Sequence, residues 1–284
     1  MIKETLYLQD GWAMRFSGQK IVFETKDITA DRTMPVLPYT RQQIESAGHP
    51  RHFLDYIGDL TESSDTLIYF LSLIPSGRTD FGCWLFIQGE ALTGKTVFLN
   101  VLKELFDNAA SDRIPAESFF HAKNKKLKKL SPALEVANYK LFSFSDDATA
   151  VDSDVLNTEA IATVTADDKN TSFFYQRNSF TVRPLAQYIF ASNYAFTCVP
   201  TSPSDEELLQ KLILFRFAHQ FAEWERKSPE TILQDLRPEF PAVIKFLVTR
   251  YIQLRDDFHG KIPISDKCRA EKEHFISFNT GANK

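Results

Sequence analysis

The sequence predicts an α/β fold: a three-layer core with a small N-terminal unit before it and a helical segment after it. Three observations predict this. Residues 83–88 form a short apolar run suited to a buried strand, and residues 97–106 carry apolar side chains at helical spacing. Between them Gly89, Glu90, Ala91, Leu92, Thr93, Gly94, Lys95 and Thr96 match G-x4-G-K-[ST], a pattern that requires a strand before it and a helix after it. Three more apolar runs, at 139–145, 185–192 and 212–217, read as further strands of one sheet.

The fixed positions of the octapeptide each have a physical task. Glycines let backbone N–H groups turn onto phosphate oxygens, and the following helix N-terminus adds positive potential. Lys95 is placed to reach the β- and γ-phosphates, and the Thr96 hydroxyl to ligate Mg2+. The core is therefore expected to be a P-loop NTPase domain with ATP and Mg2+ as cofactors.

The elements follow in chain order. Residues 12–16 and 21–25 alternate apolar and polar side chains around Ser17, Gly18 and Gln19, which predicts a hairpin. Pro35, Pro38, Gly48 and Pro50 punctuate the next stretch, and residues 52–74 then carry helical apolar spacing. His49 and His52 are three apart but flank Pro50 with no cysteine nearby, so surface or packing roles are expected rather than a metal site. Five lysines between 123 and 129 precede a helical pattern through Leu134 and Val136. That run reads as a solvated helix face or as a phosphate contact in a channel.

The run at 139–145 ends on Asp146 and Asp147. Paired acids at a strand tip suit nucleotide-bound Mg2+ and the attacking water, although such a pair also occurs as an ordinary strand cap. Residues 171–182 alternate aromatic and polar side chains and read as a hairpin with a polar tip, while the next strand ends on Asn193, a candidate γ-phosphate sensor or a turn-former. Residues 206–210 and 230–254 have helical spacing. The division expected is 1–78 for the N-terminal unit, 79–225 for the core and 226–284 for the helical segment.

Composition bounds these readings. With 284 residues and 43% hydrophobic content the chain can bury one large core or two modest ones. There is no run of 18 apolar residues and no basic-then-apolar start, so no membrane span or secretory signal is indicated and a cytoplasmic setting is expected. Cys83, Cys198 and Cys268 are too far apart for a disulfide framework and are expected as buried thiols. A net charge of −4 means that nucleic acid would have to be met by local basic patches.

In the order of loop, paired acids, hairpin, asparagine strand and final strand, residues 80–221 resemble the superfamily 3 helicases of DNA viruses, phages and plasmids. Asp146, Asp147, Ala148 and Thr149 are similar to the acidic motif of the papillomavirus replicative helicase, and residues 189–193 to the sensor strand. The flanks resemble phage and plasmid primase-helicases related to the poxvirus primase-helicase. The resemblance implies an AAA+-type core in a homo-hexameric ring on single-stranded or forked DNA. It leaves open a primase or origin-binding domain, fused or separate, and implies a setting in a bacterial cytoplasm or a virus-infected cell. Asp146 and Asp147 would serve metal and water, and Asn193 would be the sensor. Lys169, Phe174, Tyr175, Gln176, Arg177 and Asn178 would meet DNA. The trans-acting finger falls on Lys211, where the family has arginine, with Arg216 as a rival. Two other readings stay open: an ATP-regulated initiator or loader without processive unwinding, and a P-loop enzyme acting on a small substrate.

Overall fold

The computed structural model describes residues 4–25, 35–79, 81–121, 131–149, 154–165, 171–175, 178–182, 186–198, 202–223 and 227–279; of these, 171–175, 178 and 279 are described by backbone only. The lysine run at 123–129 lies outside the described residues.

The N-terminal unit opens with β1 (Thr5–Leu8), β2 (Trp12–Ser17) and β3 (Lys20–Thr25), an antiparallel meander in which Ser17 faces Lys20 across the expected hairpin turn. Gly18 there takes a φ of +56°, a conformation that a glycine adopts without the Cβ clash other residues meet. A short β4 (Val36–Leu37) pairs parallel with β1 and completes the order β3-β2-β1-β4. Next come α1 (Arg41–Ser46), closed by a Thr40–Gln43 capping box, then α2 (Arg51–Leu60) and α3 (Ser64–Ser76). The single helical pattern read over 52–74 is thus two helices. The chain leaves the first at Thr61, which is extended with φ −155°, because the polar run Thr61, Glu62, Ser63 interrupts the apolar stripe.

The core contains β5 (Trp84–Gln88), α4 (Lys95–Phe106), β6 (Phe120–His121), β7 (Phe142–Ser145), β8 (Val155–Leu156), α5 (Thr158–Val164), the hairpin β9 (Thr171–Tyr175) and β10 (Asn178–Val182), β11 (Gln187–Ser192), α6 (Pro203–Gln210) and β12 (Leu212–Arg216). Four of these strands make a parallel sheet in the order β12-β5-β11-β7. Beyond β7, residues 110–114 run alongside as a rudimentary further strand: Ala110 bridges Phe142, Ser111 N donates to Phe142 O at 2.9 Å and Ile114 N to Phe144 O at 3.0 Å. The helix read through Leu134 and Val136 is a 3-10 helix, Pro132–Ala137, started by the Ser131 side chain and ended as Asn138 turns extended.

Alternation along these strands explains their apolar runs. Leu85, Ile87, Ile189, Ala191, Ile213 and Phe215 face one core, while Trp84, Phe86, Tyr188, Phe190, Leu212 and Leu214 face another. A parallel sheet covered on both faces needs apolar residues at every position. The first core is continuous from Leu6 and Leu8 in the meander, through Phe70 and Phe98, to Leu236 and Val248 in the C-terminal segment. That segment comprises α7 (Pro229–Leu236), α8 (Phe240–Asp257) and α9 (Asp266–Asn279), so all three parts of the expected division share one core. The second core is rich in rings, with Phe86, Phe119, Phe190 and Phe196 meeting edge to face. Cys198 and Cys268 are buried free thiols as expected, whereas Cys83 is only half-buried. Among the described residues no helix is long and apolar enough to cross a membrane.

One long-range cap joins the two ends of the chain. Pro50 offers α2 no side-chain cap, and Glu239 fills that place: its carboxylate accepts from His52 N at 3.2 Å and Phe53 N at 3.0 Å and lies 3.0 Å from His52 Nδ1. Glu239→Ala is expected to lower unfolding stability by about 1–2 kcal/mol, read by urea denaturation. An unchanged midpoint would show that the N-terminus of α2 needs no cap.

Candidate active site

All four parallel strands end at one edge of the sheet, and the glycine loop leaves from that edge. β5 delivers Gly89 beside β11, where Gly89 N donates to Ser192 O at 3.1 Å. A side chain at 89 would not fit, since a Cβ there would lie 2.5 Å from Phe217 O. The loop turns through Leu92 (φ +69°) and Gly94 (φ +85°) and enters α4 without any side-chain cap. By contrast α5, α6 and α7 are capped by Asn157, Ser202 and Ser228. The first-turn amides of α4 are therefore left to a group from outside the helix.

Lys95 is 8% exposed, and its ammonium is cradled by Gly89 O at 2.6 Å, Glu90 O at 2.7 Å and Thr93 Oγ1 at 3.3 Å. Burial pushes its pKa below the ordinary lysine value and the Asp147 charge acts the other way. An anion in the loop would act in the same direction as Asp147. Thr93 Oγ1 also donates to Glu90 O at 3.0 Å, while Thr96 is exposed on the first turn of α4. The loop is backed by the stretch after β12: Gln220 Nε2 donates to Glu90 Oε2 at 2.7 Å and Phe221 N to Leu92 O at 3.3 Å. Ala91 and Leu92 are exposed at its tip.

The paired acids stand two strands away, at the end of β7. Asp147 is exposed with a left-handed φ of +47°, and Asp146 is partly buried. Arg113 on the rudimentary strand reaches Asp146 twice, with its Nε paired to the carboxylate and its Nη2 donating to Asp146 O at 3.0 Å. The chain next turns back onto β11. Ala148 N donates to Ala191 O at 3.0 Å, Thr149 Oγ1 lies 2.7 Å from Ser192 Oγ, and Thr149 Oγ1 donates to Tyr194 O at 2.9 Å. Asn193, exposed, follows Ser192 directly. The loop, the acids and Asn193 are thus gathered at one edge by hydrogen bonds that converge on Ser192.

Magnesium fits this donor set. Among the described residues no three or more His, Cys, Asp or Glu gather as a metal cluster. An ion that arrives on nucleotide phosphates needs only one or two protein oxygens, and the Thr96 hydroxyl, with the Asp146 carboxylate once Arg113 releases it, could supply that number.

The two finger candidates fall at opposite edges. Arg216 is paired with Gln88 at the loop edge and is exposed. Lys211 closes α6 at the other end of β12, where Trp84 N donates to its carbonyl at 3.3 Å and Glu207 holds its ammonium at 2.8 Å. Gly82, at φ +61°, leaves room for that side chain, since a Cβ there would come within 3.1 Å of Lys211 Nζ. Of the candidate DNA residues, Lys169, Gln176 and Arg177 lie outside the described residues. Phe174, Tyr175 and Asn178 sit in the β9–β10 hairpin, with Tyr175 opposite Asn178.

Sequence reasoning missed Arg113 and the Thr149–Ser192 pair. Arg113 lies in no motif. Thr149 and Ser192 lie beside the motifs, and the available signal was a hydroxyl two residues past the acidic pair and another at the end of an apolar run.

No protein-family model matches the chain, and no curated protein matches it. Solved structures do. Three apo structures of the C-terminal region of NrS-1 superpose with TM-scores of 0.52, 0.54 and 0.52 at 15%, 14% and 13% identity, over 89%, 96% and 95% of this chain. The likeness is one of fold. The chain spans 56%, 60% and 71% of the length of those NrS-1 chains.

Because Thr149 and Ser192 are buried and bonded to each other, removing one hydroxyl leaves the other short of a partner. A double-mutant cycle with Thr149→Val and Ser192→Ala is expected to give a coupling of about 0.5–3 kcal/mol in denaturant unfolding. Strict additivity would mean that the pair does not tie the acidic turn to β11.

Proposed function

We propose that this chain is a P-loop ATPase of the superfamily 3 helicase type, which hydrolyses ATP to move as a ring on single-stranded or forked DNA. The observation that supports the reading most is the convergence at one sheet edge of the cradled Lys95, the acidic turn and Asn193. Ligands of open α/β sheets bind outside the carboxyl ends of the strands, where strand order reverses, and here the loop strand β5 lies between β12 and β11. The fold shared with the NrS-1 C-terminal region is compatible with it.

In this reading the uncapped amides of α4 and the Lys95 ammonium hold the triphosphate. Thr96 and Asp146 would hold Mg2+, which when bound supplies charge neutralisation on the phosphate oxygens. Asp147 orients the attacking water and Asn193 hydrogen-bonds the terminal phosphoryl group. Arg113 has to release the Asp146 carboxylate for it to turn towards the loop. Lys95→Ala is expected to cut ATP turnover by about 10^2 or more, measured as phosphate release, with unchanged thermal unfolding. Wild-type turnover in that variant would end this reading.

Lys211 stands away from the loop of its own chain, so its proposed role is at the site of a neighbouring subunit. A well-placed arginine finger is worth about 10^3–10^5 in rate, and lysine carries the charge without the bidentate fork. This favours, as a second reading, an initiator or loader with slow hydrolysis and little strand displacement. Under either reading Lys211→Ala lowers turnover, and mixing it with Lys95→Ala subunits restores part of it, because a mixed interface joins one intact loop to one intact finger. If the mixture is no more active than its parts while Arg216→Ala is complemented, the finger is Arg216.

A further inference from the structure

Among the described residues the β9–β10 hairpin pairs with no further strand. A two-stranded ribbon on its own is marginally stable in water, so one that has to hold a fixed direction needs support from outside. Part of that support is apolar. Phe180 and Val182 of β10 are buried in the second core, and Thr181 between them is turned to the other side. The 3-10 helix Pro132–Ala137 and the residue after it supply the rest: Glu135 Oε1 accepts from Thr181 N at 2.9 Å, and Asn138 Nδ2 donates to Thr181 O at 2.7 Å. An acceptor and a donor side by side thus take the place of the carbonyl and N–H that a third strand would offer.

The helix type is what makes this possible. In a 3-10 helix residues i and i+3 eclipse, so Leu134 and Ala137 form one row and Glu135 and Asn138 form the next, whereas an α-helix would turn each pair about 60° apart. The first row is buried in the same core as Phe180 and Val182. The second meets the Thr181 backbone. From Asn138 the chain runs on into β7, which ends on Asp146 and Asp147. The hairpin is therefore tied to the segment that feeds a strand of the central sheet.

We infer that Glu135 and Asn138 are positioning residues for the grip on single-stranded DNA: they fix the base of the β9–β10 hairpin so that its tip meets the nucleic acid in one direction. The inference rests on the proposed action on DNA and adds to it two residues outside every motif. Neither side chain touches DNA in this account. The Glu135 carboxylate near a polyanion is unfavourable by charge alone, so removing it would strengthen binding if charge were its only effect. Removing an anchor does the opposite. The two roles of Glu135 are thus separated by the sign of the change.

The test is fluorescence-anisotropy titration of a labelled oligothymidylate, in Mg2+ and a non-hydrolysable ATP analogue, with the wild-type chain, Glu135→Ala, Glu135→Gln and Asn138→Ala. Glu135→Ala and Asn138→Ala are expected to weaken DNA binding by about threefold to tenfold, and Glu135→Gln, which keeps the accepting oxygen without the charge, to stay within about twofold of wild type. Calorimetric affinity for the ATP analogue is expected to be the same in all four. Glu135→Ala binding DNA as tightly as wild type or more tightly overturns the anchor, and so does Glu135→Gln binding as weakly as Glu135→Ala. A parallel loss of ATP affinity also overturns it, because the defect would then lie in the whole core. All three results leave the proposed function standing. If the wild-type chain binds no DNA, the proposed action on DNA falls and this inference with it.

Discussion

Ser192 is the joint on which the edge of the sheet depends. Its carbonyl accepts from Gly89 at the end of β5, and its hydroxyl bonds to Thr149 in the turn after β7. Two loops that are unrelated in sequence are thereby fixed to the end of a third strand. Buried hydroxyls stabilise such a joint only when every one of them is satisfied, and Ser192 Oγ meets Thr149 N, Thr149 Oγ1 and Tyr194 N. The rigidity has a local cost. Leu92 and Asp147 are both held in the left-handed region, which for an L-residue costs on the order of 1–2 kcal/mol. Strain of that kind persists where the surroundings over-determine it, and both residues lie on loops leaving this one edge.

On the other flank α2, α4 and α7 are braced by charge rather than by apolar packing alone. Glu239 caps α2, and Arg237, two residues before it, joins Glu104 on the last turn of α4 as well as Glu230 on α7. The Arg237 pairs are exposed, so they add little to stability. They join the stretch after α7 to the last turn of α4 and to α7 itself.

Strands and loop were legible because their signal is local. A parallel strand buried on both faces reads as an unbroken apolar run, and the glycine loop is defined by eight consecutive positions, 89–96. The acids and Asn193 were legible as strand ends for the same reason. What was hidden depends on contacts across the chain. Arg113 reaches Asp146 only because residues 110–114 run beside β7, and no spacing in the sequence announces that pairing. The break between α2 and α3 was overlooked because the apolar stripe resumes nearly in phase after Thr61.

The same geometry bears on how copies of the chain would cooperate. Lys211 and Arg216 are five residues apart, and at about 3.3 Å per residue β12 carries them about 16 Å apart, to opposite edges of the sheet. A head-to-tail interface, the kind that closes a ring, joins two different surfaces of the subunit. A group that acts across it must therefore stand away from the site of its own chain. Lys211 meets that condition, and Glu207 and the space over Gly82 hold its side chain in place without a contact to the loop. Arg216 does not meet it. It ends the strand next to Gln88, at the edge its own loop occupies, and its neighbour Glu271 on α9 takes a hydrogen bond from its backbone. In the proposed ring, position along one strand would leave Arg216 at the chain's own edge and Lys211 for a neighbour.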